Sequence, residues 1–303
     1  MENNKPLLWS HNILIFALCL TSVVGLGAMM LLRTRISEAQ NQGSLNADNL
    51  TVNVGTQKRV EGFKAAMLTT WQQEAQAKGI VTDVPSMFLG KTIKAAKLPP
   101  EKKVIALTFD DGPWPKSTAQ VLDILKKNDI KGTFFVVGRN VKNYPDLTKQ
   151  IVAEGHSIAN HTWHHWYHHM NAQKAAYEVA NTSKIILETT GVKTGLFRPP
   201  GGIMTNGVVN YARNNKYAVI MWSSDSIDYS RPSVAKLMNN IFKSARPGGI
   251  VLMHDGGGDR TRTVQALPKI IDRFRKQGYQ FVTIPEMLEM QEEYQASLAK
   301  KEE

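Results

Sequence analysis

After Lys103 the chain settles into strand-like apolar runs separated by segments of helical period. The seven runs are VIALTF at 104–109, TFFVVG at 133–138, HSIAN at 156–160, GLFR at 195–198, YAVIMW at 217–222, GIVLMH at 249–254 and YQFVTI at 279–284. Between them, Ser117 to Asn128 places Val121, Leu122, Ile124 and Leu125 on one side of a helix, and Ala172 to Thr189 reads as another. Strand and helix in regular alternation mean parallel strands joined by crossovers. This order predicts an α/β fold, a closed or nearly closed β/α barrel, with an open doubly wound sheet as the alternative.

Ahead of this body the pattern is different. Ile13 to Leu32, ILIFALCLTSVVGLGAMMLL, carries no charge and meets the requirement of roughly 20 apolar residues for a membrane-spanning helix. A buried core helix would show a polar face, and this stretch shows none. Its length favours an uncleaved membrane anchor over a cleavable signal peptide, although Gly25 and Gly27 offer small residues for a cleavage site and a secreted form. Lys5 before the span and Arg33 and Arg35 after it would by charge alone leave the body in the cytoplasm. From Ile36 to about Lys103 the chain is polar and rich in Gln, Asn and Ala, with one amphipathic stretch near Val60 to Lys78, and reads as a stem. The expected organisation is an anchor or signal at 1–35, a stem at 36–100, a catalytic body at 101–290 and a charged tail at 291–303, with no internal repeat.

Composition narrows the class. With 303 residues, 42% of them hydrophobic, the chain can bury one large core in one or two domains. The single cysteine, Cys19, lies in the apolar span, so the body has neither a disulfide nor thiol chemistry, and Leu18 before it argues against lipidation. The net charge of +11 is scattered, without the dense basic run or interleaved aromatics of a nucleic-acid binder. It suits attraction to an anionic cell wall or lipid surface. Nothing points to a protein partner.

The chemically capable residues fall where the strands end. Asp110 and Asp111 follow the first run, His161 and His165 the third; Arg198 ends the fourth, Asp225 and Asp228 follow the fifth, and His254 ends the sixth. Parallel β/α architectures build their sites at the carboxyl ends of several strands, so these residues are expected on one rim. In HTWHH the two outer histidines are four apart, which on a helical turn puts both imidazoles on one face. With one carboxylate of the Asp pair they form a three-ligand set that leaves coordination positions open, as a catalytic metal site needs. His164, His168 and His169 are left outside that set. The adjacent carboxylates of LTFDDG then have an explanation: one binds a cation, whose charge lets the other stay ionised as a general base. Taken singly each residue has an ordinary role as turn, cap, ion pair or core histidine, and it is their joint placement that speaks for a site.

TFDDG, HTWHH, FRPPGG, WSSDSIDY and VLMHD occur in this order between about Glu101 and Met287, and the chain thereby resembles polysaccharide deacetylases of the NodB-homology, carbohydrate esterase type. The resemblance implies a distorted (β/α)7 barrel and a divalent-metal-dependent hydrolase that removes acetyl groups from N-acetylglucosamine-type sugars of peptidoglycan, chitin-like or exopolysaccharide chains. It implies Asp110 as base, Asp111, His161 and His165 as ligands of one divalent ion (zinc first, with cobalt, manganese or nickel as alternatives), and His254 as acid. Arg198 would position the base and Asp228 tune the acid, while Leu252, Trp222, Tyr229 and the backbone of Gly201 would meet the substrate. Gly201 and Tyr229 depart from the family pattern, which commonly has tyrosine and tryptophan there; both changes bear on groove shape. The loop HDGGGDRTRTVQAL after the acid histidine is expected to shape and cap the site, with Arg260 and Arg262 near the rim. Such a substrate places the body outside the cytoplasm, membrane-tethered, against the charge signal. The competing readings are an amidase or cyclic-imide hydrolase on the same scaffold, a silent glycan-binding membrane protein, and an iron oxygenase built on the same ligand set.

Overall fold

The computed structural model describes residues 84–302. The expected anchor at Ile13 to Leu32 and the amphipathic stretch Val60 to Lys78 lie outside the described residues. Among the described residues no helix is long and apolar enough to cross a membrane.

The body alternates strand and helix: β1 (Thr92–Ile93), β2 (Val104–Asp110), α1 (Ser117–Lys127), β3 (Thr133–Val136), α2 (Gly138–Asn143), α3 (Pro145–Ala153), β4 (Ser157–Asn160), α4 (Ala172–Thr190), β5 (Leu196–Phe197), α5 (Val208–Asn214), β6 (Ala218–Ile220), β7 (Ser224–Asp225), α6 (Val234–Phe242), β8 (Gly249–His254), α7 (Thr261–Lys276), β9 (Gln280–Phe281) and α8 (Ile284–Glu302). Every strand pair is parallel, in the order β1-β6-β5-β4-β3-β2-β8-β7, and β9 joins the start of β2. The chain from Ala218 to Asp225 serves both ends of that order, because β6 pairs with β5 and β1 while β7 pairs with β8. Ala96 N–H also donates to Gly248 O at 2.8 Å, tying the β1 end to the start of β8. The sheet therefore curls.

All seven apolar runs became strands. β1 and β7 were not foreseen, since two residues are too few to show a period. β1 comes from the segment assigned to the stem: Phe88, Ile93 and Ala96 are buried in the core, so the folded body begins before residue 101. At the other end α8 continues to Glu302, and Gln291, assigned to the tail, is buried and accepts a hydrogen bond from Lys97 N at 2.9 Å.

The strands' two faces do different work. Ile105, Leu107, Phe109, Val251 and Met253 point outward into a cluster with Leu122 and Leu125 of α1 and Ile270 and Phe274 of α7. Val104, Ala106, Phe135, Ala159, Leu196, Ala218, Ile220 and Ile250 point inward, closed off by Ile284, Met287 and Leu288 of α8. Side chains alternate along a strand with period two. Carried toward the carboxyl ends, the inward parity arrives at Asp110, His161, Arg198, Trp222, Leu252 and His254.

His156 at the foot of β4 is 4% exposed; its Nδ1 accepts from Gly132 N at 3.1 Å and its Nε2 has no partner among the described residues. Burial, assisted by Lys131, pushes its pKa down to about 4. The unfolded chain takes up this proton near pH 6.5 and the folded one does not, so stability falls as pH drops through that window. Replacing His156 with Asn, which keeps an acceptor for Gly132, is expected to reduce the stability lost between pH 7 and about pH 4.5 by about 2 to 3 kcal/mol in urea titrations.

Candidate active site

A cleft of about 630 Å³ opens at the carboxyl ends of the strands, with Asp110, Asp111, His161, His165, Tyr229 and His254 in its wall. Its floor is organised by Arg198, which has no exposed surface. The guanidinium donates from Nη1 to Asp110 Oδ1 at 2.6 Å and Thr108 Oγ1 at 2.9 Å, from Nε to Ile220 O at 3.0 Å and from Nη2 to Met221 O at 3.3 Å. It also lies 3.9 Å from the centroid of the Phe135 ring. One oxygen of Asp110 is thereby fixed, and the other faces His161 Nε2 at 3.6 Å. Burial pushes the Arg198 pKa down and Asp110 opposes it.

Asp111, His161 and His165 each offer one ligand atom, all within 4.8 Å of one another. Asp111 Oδ1 lies 3.0 Å from His165 Nε2 and 3.5 Å from His161 Nε2, and this buried oxygen accepts no geometric hydrogen bond among the described residues. An orphaned carboxylate oxygen facing two imidazole nitrogens is a donor set that fits a first-row divalent ion. His161 Nδ1 is 2.8 Å from Arg198 O. A carbonyl can only accept, so Nδ1 carries the proton and Nε2 presents its lone pair to the site. Burial alone would raise the Asp111 pKa, but the two imidazoles hold it well below the usual carboxylate range.

The expected helical turn in HTWHH is not there. Residues 161–170 form a loop in which Thr162 and His165 take left-handed backbone angles, φ +64° and +63°. The imidazoles meet through that loop, with ring centroids 4.8 Å apart. A β-branched residue at positive φ is strained. Thr162 is held there by its N–H, which donates to Asn160 Oδ1, and by its Oγ1, which accepts from His165 N.

Glu178 of α4, fully buried, clamps the same loop. Its Oε2 accepts from the backbone N–H of Trp163 and His164 at 3.0 and 2.8 Å, and its Oε1 lies 2.5 Å from His164 Nδ1. The sequence reading missed it. The signal was present, for Glu178 sits in the stripe Ala175, Val179, Thr182 and Ile186, where an acid needs a partner.

Across the cleft, His254 Nδ1 meets Asp228 Oδ1 at 2.7 Å, while Asp228 Oδ2 accepts from His254 N and Thr263 Oγ1 at 2.9 and 2.8 Å. Burial alone would lower the His254 pKa; Asp228 first, with the charges of Asp110 and Asp111, raises it to about 9. The same partner outweighs burial at Asp228 and lowers its pKa. His254 is therefore an imidazolium at neutral pH.

Leu252, Trp222, Tyr229 and Gly201 all line the cleft. Arg198 and Asp228 sit behind it. Asp225 lies in β7 rather than after a strand; burial raises its pKa and its Oδ1 accepts from Ile227 N at 2.8 Å. Arg260, expected near the rim, is 6% exposed, with Nη2 3.8 Å from Asp111 Oδ2 and Nε donating to Gly256 O at 2.6 Å. Arg262 stays exposed and donates to Arg231 O. Asp255, also unforeseen, is fully buried, accepts from Thr118 Oγ1 at 2.5 Å, and is pushed up to about 7 by burial and then by Asp111 and Asp110.

Residues 97–220 match the polysaccharide deacetylase family. The chain is 42% identical over 194 residues to the peptidoglycan-N-acetylglucosamine deacetylase of Bacillus cereus, covering 63% of this chain and 91% of that one. It is 34% identical over 211 residues to the peptidoglycan-N-acetylglucosamine deacetylase PgdA of Listeria monocytogenes, covering 69% of this chain and 44% of that one. A solved peptidoglycan N-acetylglucosamine deacetylase structure is similar at a TM-score of 0.61 and 33% identity, over 65% of this chain and 92% of that one. The chain belongs to the polysaccharide deacetylase family, and it is a hydrolytic N-deacetylase.

Because Glu178 holds the loop that carries His161 and His165, Glu178→Ala is expected to weaken any divalent-metal binding at this donor set by about 10- to 100-fold in calorimetric titration. The two backbone N–H groups left without an acceptor are expected to lower stability by about 2 to 4 kcal/mol.

Proposed function

We propose that this protein is a zinc-dependent peptidoglycan N-acetylglucosamine deacetylase working outside the cytoplasm on a distorted (β/α)7 barrel, tethered by the apolar segment Ile13 to Leu32. The observation that carries the reading is the opposition, across one cleft, of the Arg198-held Asp110 and the Asp228-held His254, with Asp111, His161 and His165 beside Asp110. The activity of the Bacillus cereus and Listeria monocytogenes relatives supports peptidoglycan as the polymer, and the net charge of +11 suits an anionic wall.

Asp111, His161 and His165 would hold a divalent ion, which when bound would supply Lewis acidity toward the water and the acetyl carbonyl. Asp110 takes a proton from the attacking water through the oxygen that Arg198 leaves free. The N–H of Gly201 helps to hold the developing oxyanion. His254, protonated through its partnership with Asp228, gives a proton to the leaving nitrogen. Leu252, Trp222 and Tyr229 form the apolar side against which the acetyl methyl rests. The products are acetate and a glucosamine with a free amine.

Acetate release measured across peptidoglycan, chitin oligomers and acetylated exopolysaccharide tests the reading. Peptidoglycan is expected to be turned over fastest, chelation to abolish release, and Asp110→Asn to lower kcat by about 10²- to 10⁴-fold. Unchanged turnover in a folded Asp111→Ala variant would refute the reading, and activity confined to small amides would replace it.

The acid sets the alkaline limit. Activity is expected to fall as pH rises through about 9, where His254 loses its proton. In Asp228→Asn the charge that raises this pKa is gone, so the alkaline limb of kcat/KM is expected to move at least one unit toward neutrality, by the roughly 1.4 kcal/mol per unit that links pKa to interaction energy.

A further inference from the structure

We infer that Tyr167 is a specificity-determining residue of this cleft, its ring supplying the wall that position 201 does not. The inference rests on the deacetylase reading above and goes beyond it to the sugar contact. Gly201 stands in the turn Pro200–Gly202 with φ +59°, a left-handed conformation that side chains disfavour. The Tyr167 ring covers its Cα: a Cβ there would lie 3.0 Å from Tyr167 Cε1 and 3.4 Å from Cδ1. A side chain at 201 and the ring of Tyr167 therefore compete for one volume, and the ring holds it.

A second contact fixes the same ring. Tyr167 meets His165 edge to face, with centroids 5.2 Å apart and planes at 72°. The metal-binding loop and the Pro200–Gly202 turn thus hold Tyr167 between them, two residues from a ligand of the metal site and in the wall of the cleft. It nevertheless remains 57% exposed, and its hydroxyl makes no hydrogen bond among the described residues. A large aromatic side chain that is positioned from two sides yet left open is available to a ligand rather than spent on the core.

Its chemistry selects the ligand. The face of an aromatic ring is apolar and carries partial negative charge, which suits the positively polarised axial C–H bonds of a pyranose in its chair form. The hydroxyl at the ring's edge can donate to or accept from a sugar hydroxyl or acetamido group. Tyr167 is thereby matched to the flat side of a β-linked N-acetylhexosamine at or beside the unit being hydrolysed. A small linear amide offers no such face.

The test compares kcat and KM for acetate release from a chitin tetramer by the wild type and by Tyr167→Ala, Tyr167→Phe, Gly201→Ala and the Tyr167→Ala/Gly201→Ala double variant. Tyr167→Ala is expected to raise KM about five- to tenfold while kcat stays within about twofold, and Tyr167→Phe, which keeps the ring, to restore KM. Gly201→Ala, which drives the ring off its seat, is expected to raise KM similarly, and the double variant to show no further rise. Should Tyr167→Ala fail to fold, Tyr167→Leu keeps bulk without the aromatic face and is read the same way. An active wild type whose KM is unmoved by loss of the ring, or a Tyr167 variant that loses kcat alone, overturns the assignment to Tyr167. A wild type that releases no acetate from any glycan overturns the underlying function and this assignment with it.

Discussion

A guanidinium with no exposed surface must find acceptors within the protein, and Arg198 finds four of them on two strands' worth of chain other than its own. Thr108 and Asp110 belong to β2, Ile220 and Met221 to the end of β6, and Arg198 itself follows β5. Those bonds form only if the sheet curls enough to bring the ends of β2 and β6 within reach of one side chain. The curvature of the fold and the orientation of Asp110 are thus one constraint. A lone buried cation would be severely destabilising, so the pair cannot be separated without disturbing both. The backbone carbonyl of the same Arg198 orients His161, which extends the constraint to the cluster of Asp111, His161 and His165.

Much of this was legible in the chain. The seven apolar runs are long enough to show themselves as strands, and chemically capable residues at their carboxyl ends predicted one rim. A finer signal lay in parity: counting back by twos from Asp110, Arg198 and His254 gives Thr108, Leu196 and Leu252, all buried on the inward face. The two-residue strands were not legible, because partners far along the chain, and not local period, define them. Nor was the geometry of HTWHH. A spacing of four suggested a helical turn, while the loop achieves the same convergence through left-handed residues and a distant acid, Glu178, that no local pattern ties to it. Arg260 looked like a surface charge because its burial depends on how the glycine loop lies.

That loop explains itself once its neighbours are known. A Cβ on Gly256 would collide with the backbone of Asp111, and one on Gly257 with the Asp111 carboxylate. The missing side chains let the segment after β8 lie directly on the end of β2, and Arg260 comes with it. Gly112 is constrained from the opposite direction, since a Cβ there would meet the carboxylate of Asp255. The acids crowded here behave differently because their partners differ. Asp228, bonded to His254, has a lowered pKa, whereas Asp255, buried with one hydroxyl, is held up to about 7. Identical functional groups are sorted by surroundings into permanent anion and near-neutral acid.

The manner in which the curled sheet ends bears on how molecules of this protein meet one another at high concentration. The strands at the ends of the pairing order, β1 and β7, are each two residues long, and the segment Ala218 to Asp225 carries β7 itself together with β6, the neighbour of β1, in a single stretch of backbone. Open rows of amide and carbonyl groups are what allow one sheet to recruit strands from another copy. With so little of that template on offer among the described residues, crowding at a surface leaves such sheets without a place to zip together.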